Sequence, residues 1–314
     1  MKNNSSLSPL QELQQQLAIV RDRVRSVARK LSNGLYLFGP AGTSKTYTVK
    51  TTLDDLKLKR PYQYHLGHIT SMGLFDLLGE CHGRIIVLDD VSELLNNKIA
   101  LQILLAALGN QPDDTGERIV RYKRQGHEEI VRFTGGIILI SNLELHATPL
   151  LDALKSRIHC LRYNPTNEQI AALMLEIASH GRAKPKLSPE QCRKVAEFLI
   201  AESQRLGCRL DIRLLVDKAF LDFAQYRNHN TETHWKDLVR ATLQEQVPAL
   251  EHTRKPVGAR KMLKKMEQQI VREISSTGRT LPEQIAIWRA QTQKSERAFY
   301  RRLKEINVLQ TDTY

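Results

Sequence analysis

Residues 35–46, Leu35-Tyr-Leu-Phe-Gly39-Pro-Ala-Gly42-Thr-Ser44-Lys45-Thr46, decide how the rest of the chain is read. Apolar residues with the pattern of a buried strand run into a glycine-containing turn that closes on Lys-Thr. Such a turn wraps backbone N–H groups around a chain of phosphates and opens a helix whose N-terminal dipole faces them. Gly39, Pro40, Ala41, Gly42, Thr43 and Ser44 would form the cradle. Lys45 would reach the β and γ phosphates, and the Thr46 hydroxyl would sit on Mg²⁺. One residue departs from the pattern. Glycine is expected where Ser44 stands, and serine adds a Cβ where the backbone must bend tightly. Taken alone, the stretch is also compatible with an ordinary strand–turn–helix join.

Downstream, Ile85-Ile-Val-Leu-Asp89-Asp90 is a second apolar run, ending in two carboxylates. Asp89 would complete a Mg²⁺ shell and Asp90 would orient or deprotonate an attacking water. A third run, Gly136-Ile-Ile-Leu-Ile-Ser141-Asn142, ends in an amide suited to positioning that water. Arg157, ahead of the next strand, is placed to point into the site of a neighbouring subunit, where it would stabilise transition-state charge. Arg213, opening a later helix, is placed to close over the γ-phosphate of its own subunit.

Around these motifs the pattern is α/β. Residues 8–32 keep Leu10, Leu13, Leu17, Val20, Val24, Val27 and Leu31 at helical spacing. Strands are expected near 35–38, 62–66, 84–89, 136–141 and 158–163, with helices between most of them, which implies a parallel sheet covered on both faces. Residues 118–133 break the rhythm as a β-hairpin turning at Gln125-Gly126, with a basic tip of Lys123, Arg124 and His127. Four helices follow, over 166–179, 188–205, 211–226 and 234–246. Pro248, Pro256 and Gly258 mark a linker. The expected domains are an N-terminal helix (1–33), an α/β core (34–164), a helical lid (165–246), a linker (247–258) and an all-α module (259–314).

Charge points to an anionic polymer as partner. The 314 residues carry 47 Lys+Arg against 34 Asp+Glu, net +13, and residues 251–314 alone hold 14 Lys/Arg against 7 Asp/Glu. In that module a basic helix over 259–276 sets Leu263, Met266, Ile270 and Ile274 on one face, and a second helix covers 281–290. A third follows Ser295, with Phe299, Leu303 and Ile306 on one stripe and Arg297, Tyr300, Arg301 and Lys304 on another. The second stripe suits base edges or phosphates in a DNA groove, and a plain protein-docking bundle is the other reading. Cys81, Cys160, Cys192 and Cys208 form no C-x-x-C pair or zinc spacing, as expected of reduced thiols in the cytoplasm. Neither a signal core nor a membrane span is read.

Taken together and in this order, the motifs over residues 30–228 resemble those of the AAA+ ATPases. Gly39–Thr46 corresponds to their Walker A loop, Ile85–Asp90 to Walker B, Asn142 to sensor 1, Arg157 to the arginine finger and Arg213 to sensor 2. The resemblance implies a three-layer P-loop NTPase core with a helical lid, ATP and Mg²⁺ as cofactors, and a homo-oligomer, commonly a hexameric ring. The hairpin ahead of Asn142 is similar to one in the superfamily 3 replicative helicases, whose tip grips single-stranded DNA; Lys123 and His127 correspond. The end module resembles bacterial helix-turn-helix domains of the Fis type. The implied activity is ATP hydrolysis on DNA in replication or recombination of a mobile element, as helicase-like motor or loader, alongside other replication or recombination proteins. An ATP-switched DNA-binding regulator with slow hydrolysis is the alternative. Asp90 stands where the family usually has Glu, and activators of alternative sigma factor carry a Gly-Ala-Phe-Thr-Gly-Ala loop that is absent here.

Overall fold

The computed structural model describes residues 7–109, 117–124, 127–245, 259–276, 278, 280–292 and 294–311, the side chains of 92, 124, 127, 259–266 and 307–311 excepted. It divides into two compact units, Met1–Gln244 and Glu245–Tyr314.

The first unit opens with α1 (Pro9–Ala28), begun by a capping box in which Ser8 and Gln11 satisfy each other's backbone N–H groups. Its buried stripe is Leu13, Val20, Val24 and Val27. Then come β1 (Gly34–Phe38), α2 (Lys45–Asp55), β2 (Gln63–Leu66), α3 (Ser71–Glu80), β3 (Ile85–Asp89), α4 (Ser92–Asn96) and α5 (Lys98–Ala107). A hairpin of β4 (Arg118–Arg124) and β5 (His127–Phe133) precedes β6 (Gly136–Ser141), α6 (Pro149–Lys155) and β7 (His159–Arg162). Five strands form one parallel sheet in the order β2-β3-β6-β1-β7, and the hairpin is a separate antiparallel pair. β3 and β6 are buried at every position, as central strands covered on both faces must be. One face packs with α1 and α2 through Leu13, Val24, Leu37, Val49 and Ile138. The other packs with α3, α5 and α6 through Leu74, Leu78, Leu104, Leu139 and Leu154. Arg118 is buried at the hairpin's base, where its guanidinium donates to the Phe133 carbonyl (3.3 Å) and to that of Gly135, and lies over the Phe133 ring.

The lid consists of α7 (Asn167–Ser179), α8 (Pro189–Leu206), α9 (Phe220–Arg227) and α10 (Trp235–Gln244). Capping boxes at Thr166/Gln169 and Ser188/Gln191 start α7 and α8. Trp235 fills its centre, edge-on to Phe198 and Phe223 at 5.0 and 5.3 Å. The single helix expected over 211–226 is not uniform. Residues Leu214–Ala219 form a π-helical turn that leads into α9. The wider turn buries Leu214, Leu215 and Ala219 in the lid while Val216 and Asp217 line a cleft; π turns recur where a helix is shaped around a site.

The second unit holds α11 (Ala259–Ser275), α12 (Leu281–Thr292) and α13 (Glu296–Thr311) around Val271, Ile274, Ile285, Trp288, Phe299 and Ile306. Glu267 is 5% exposed and ties the helices together: its carboxylate accepts from Lys294 and from Arg302 Nε at 2.7 Å. Burial alone would raise its pKa, but these two cations hold it below the ordinary 4.5. The linker expected at 247–258, the turn at Gln125-Gly126 and the side chains of Leu263 and Met266 lie outside the described residues.

A carboxyl with a depressed folded pKa stabilises above its unfolded pKa and ceases to do so as pH falls through the folded value. Calorimetry should therefore show the second unit melting at lower temperature as pH drops below about 4.5. Glu267→Ala should abolish that pH dependence and cost about 3 kcal/mol at neutral pH, since it leaves Arg302 and Lys294 without their shared acceptor.

Candidate functional site

Strand order places the site. β1 lies between β6 and β7, and β3 lies beside β6, so the C-terminal ends of β1, β3 and β6 are neighbours. Open parallel sheets bind ligands outside those ends. β1 delivers the loop 39–44 and the start of α2, β3 delivers Asp89 and Asp90, and β6 delivers Asn142.

The loop tolerates no side chain at two positions. Gly39 has φ 157°, and a Cβ there would stand 1.8 Å from the Tyr163 carbonyl oxygen. Gly42 has φ 67°, and a Cβ there would stand 1.7 Å from Asp211 Oδ1. Ser44 adopts the same left-handed region at φ 70°, where a residue with a Cβ is strained by about 1–2 kcal/mol. Thr43 Oγ1 braces the turn by donating to the Pro40 carbonyl at 2.9 Å. α2 then starts at Lys45 with no acidic residue in its first turn, which leaves its dipole available to an anion.

Lys45 is 6% exposed. Its Nζ donates to the carbonyls of Gly39 (2.9 Å) and Pro40 (2.6 Å) and to Asn142 Oδ1 (3.1 Å). Burial lowers its pKa to about 8; Asp89 and Asp90 pull it back up, while Arg213 and Arg209 push it further down. Asn142 then donates through Nδ2 to Asp90 Oδ1 at 3.1 Å, so one amide bridges the cation and the carboxylate. Asp90 turns out of β3 at φ 55°, a conformation that Asp tolerates better than most residues. Beside this chain, Thr46 Oγ1 donates to Asp89 Oδ2 at 2.7 Å and the Tyr64 hydroxyl donates to the same oxygen at 2.8 Å. Burial and the Asp89 carboxylate together raise the Tyr64 pKa.

These groups line a cleft of about 670 Å³. Its other walls are apolar, with Leu17 from α1, Leu173 and Ile177 from α7, and Ile212 and Val216 at the start of the lid's third helical segment. Arg21, Arg182 and Arg213 also line it. The lid is joined to the loop directly: the Ile212 N–H donates to the Gly42 carbonyl at 3.0 Å, and the Asp211 carboxylate, which accepts from the Arg213 N–H at 2.8 Å, rests on Gly42. Among the described residues no group of three or more His, Cys, Asp or Glu could hold a metal unaided. Thr46 and Asp89 supply two oxygens on one side of the cleft, the donor chemistry of a Mg²⁺ that draws its other ligands from water and phosphate.

The structure thus brings together Gly39–Thr46, Asp89, Asp90, Asn142 and Arg213. Arg157 does not line this cleft; its Nη1 donates to the Ala153 carbonyl at 2.7 Å. Lys123 is exposed on the hairpin, and the side chains of Arg124 and His127 lie outside the described residues. In the separate second unit Arg297, Tyr300, Arg301 and Lys304 are all exposed on α13. Tyr64, Asp211 and Arg209 are groups that sequence reasoning missed. Asp211 left one signal, its position two residues ahead of Arg213 as a helix-capping acid.

Gly42→Ala should lower the melting temperature of the first unit in calorimetry. The backbone term alone is about 1–2 kcal/mol, which corresponds to roughly 2–8 °C for a unit of this size. Because the rest of the loss comes from the clash with Asp211, the Gly42→Ala/Asp211→Ala double variant should lose less than the sum of the two single changes.

No family model matches the chain, and no curated protein matches its sequence. Solved structures do share its architecture. NtrX from Brucella abortus, solved in complex with ATP, matches with a TM-score of 0.50 at 15% identity, over 97% of this chain and 70% of that one. Cdc6p from Pyrobaculum aerophilum matches at 0.46 and 17% identity, over 96% and 88% of the two chains. RuvB from Thermotoga maritima matches at 0.42 and 12% identity, over 74% and 68%. The five-stranded parallel sheet of this chain, with its flanking helices, fits the fold of an α/β P-loop NTPase core, as the likeness to NtrX indicates.

Proposed function

We propose that the chain is an AAA+ ATPase that binds ATP in the cleft and hydrolyses it to ADP and phosphate while acting on DNA. The observation that carries this reading is the hydrogen-bonded series Lys45–Asn142–Asp90 beside the Thr46–Asp89 pair, at the mouth of one cleft. The phosphates would occupy the loop Gly39–Ser44 and the N-terminus of α2, with Lys45 exchanging its loop carbonyls for phosphate oxygens. Thr46 and Asp89 would hold Mg²⁺, which neutralises phosphate charge when bound. Asn142 would orient the attacking water and Asp90 would take its proton as the bond between the γ-phosphorus and the β–γ bridging oxygen breaks. Arg213 would meet the γ-phosphate from the lid. Arg157, which does not line its own cleft, suits a role at the site of a second copy, as in a hexameric ring.

Charge and surface favour DNA as the polymer. Among the described residues Arg297, Arg301 and Lys304 form no ion pair, whereas Arg302, Lys294 and Arg289 of the same unit are each paired with an acid. A helix-turn-helix reading of α12 and α13 makes the unpaired face a groove-reading one, and Lys123, Arg124 and His127 form a second contact, to single-stranded DNA, at the hairpin tip. The setting is replication or recombination of a mobile element in the cytoplasm, as motor or loader, together with other proteins of that process. Among the described residues no helix is long and apolar enough to cross a membrane. An ATP-switched regulator is the second reading, and Ser44 favours it, a residue with a Cβ in a left-handed turn where the hydrolysing pattern has glycine.

Lys45→Ala should weaken ATP binding by roughly 10- to 150-fold, the equivalent of about 1.5–3 kcal/mol for a charge-assisted contact. Asp90→Ala should keep binding and lose roughly 10²–10⁴ in phosphate release. Fluorescent-nucleotide titration and a phosphate-release assay measure the two. Wild-type affinity should also decline as pH rises above about 8, where Lys45 loses its proton. ATP binding untouched by Lys45→Ala would remove the assignment.

For DNA, deletion of residues 251–314 should abolish most duplex affinity while leaving ATP binding in place. The intact protein's duplex affinity should fall with salt at a log–log slope of roughly −0.9 per phosphate neutralised. Arg301→Ala should cost about 1–3 kcal/mol at one sequence position if it reads a base, and act evenly across sequences if it meets only phosphate. A truncated chain that binds duplex as well as the whole would make the second unit a protein-docking module.

A further inference from the structure

Ser44 and Tyr163 hold the two buried side-chain polar atoms that lack a hydrogen-bond partner among the described residues. Both are hydroxyls, and both belong to the surroundings of one loop. Ser44 stands at the head of α2 with φ 70° and makes no side-chain capping bond there. A serine at a helix start normally gives its oxygen to a backbone N–H of the first turn; this one turns its oxygen into the protein instead. Tyr163 is 2% exposed and packs in the cluster that contains Leu37, Val49 and Ile140. It already grips the near end of the loop by its backbone. Its N–H donates to the Phe38 carbonyl at 2.8 Å, and its own carbonyl lies against Gly39 so closely that a Cβ would not fit.

The loop thus has two buried, unpartnered hydroxyls around it, one at its far end on Ser44 and one on the residue that grips its near end. Burial raises the Tyr163 pKa to about 12, and the Ser44 hydroxyl opposes that rise. A hydroxyl is both donor and acceptor, and a serine side chain changes direction by rotation about one bond. Joining the pair therefore satisfies two buried polar atoms at once.

We propose that Tyr163 is a positioning residue for the phosphate loop, its hydroxyl pairing with Ser44 Oγ to hold the Ser44–Lys45 peptide in its left-handed turn. The proposal rests on the phosphate-loop reading above. It explains how a serine serves where glycine is expected: the Cβ that strains the turn also carries the group that pins it. The left-handed turn sets the direction of the N–H groups at the start of α2, so the pair acts on nucleotide binding and not on the bond-breaking step.

The test compares wild type, Tyr163→Phe, Ser44→Gly and the double variant, using the full chain, Mg²⁺ and a fluorescent ADP analogue. Tyr163→Phe should raise the Kd for ADP by about five- to tenfold, the effect of a buried hydroxyl left unpaired, with the loss in turnover falling on KM and not on kcat. Ser44→Ala, which removes the same pair from its other end, should do likewise. In the Ser44→Gly background Tyr163→Phe should change neither Kd nor melting temperature. The melting temperatures, taken without nucleotide, decide the pairing independently of the ATP reading: equal losses from Tyr163→Phe in both backgrounds would overturn it. A coupled melting temperature with an unchanged Kd would equally overturn the positioning role. Failure of wild type to bind ADP at all would count against the phosphate-loop reading and, with it, the positioning role.

Discussion

The buried ammonium of Lys45 is the constraint around which the first unit is organised. A charge at 6% exposure needs acceptors, and it has three: two carbonyls of its own loop and the Asn142 amide. The loop carbonyls point inward only because Gly39 and Gly42 take backbone conformations closed to other residues, each against a neighbour that leaves no room for a Cβ. Asn142 is available only because β6 lies beside β1 in the sheet. Remove any of these and a buried charge loses part of its compensation, which is costly. The acidic side of the site follows from the same arrangement, since Asn142 spends its other end on Asp90.

The strands of this fold were legible for a physical reason. Ile85–Asp89 and Gly136–Ser141 are covered on both faces, and a strand with no solvated face must read as an unbroken apolar run. Their polar endings, Asp89-Asp90 and Asn142, sit where the strands leave the core, so the candidate residues stood out as polar groups just past apolar ones. The loop 39–46 was legible because its backbone demands are local. What was not legible is what touches that loop from afar. Asp211 on Gly42, Tyr163 on Gly39 and Tyr64 on Asp89 are contacts between residues far apart in sequence, and no periodicity encodes them. The π-helical turn at Leu214–Ala219 escaped as well, because its apolar residues fit an ordinary helical stripe closely enough.

The lid owes its place to backbone groups more than to side chains. The Ile212 N–H is bonded to the Gly42 carbonyl, and Asp211 both caps the segment that follows and rests on the same glycine. A shift of the loop at Gly42 is therefore felt at Arg213 and at Val216 and Asp217, all of which line the cleft. The lid's own interior is rigidly keyed by Trp235 against Phe198 and Phe223, and by Glu202 shared between Arg205 and Arg240.

Strand order has a further consequence, for how the chain acquires its shape during synthesis. β1 is made well before both of its partners: Gly34 pairs with Ile137, and Leu35 with His159. Until a ribosome has released the chain beyond β6, β1 is an apolar strand with no strand to pair with, and its second partner comes only with β7. Parallel pairing at such sequence distance is slow to form and leaves unpaired edges exposed while it waits. The pairing of β1 therefore comes late, and the nascent chain before that point is where chaperone binding, or aggregation, has its opportunity.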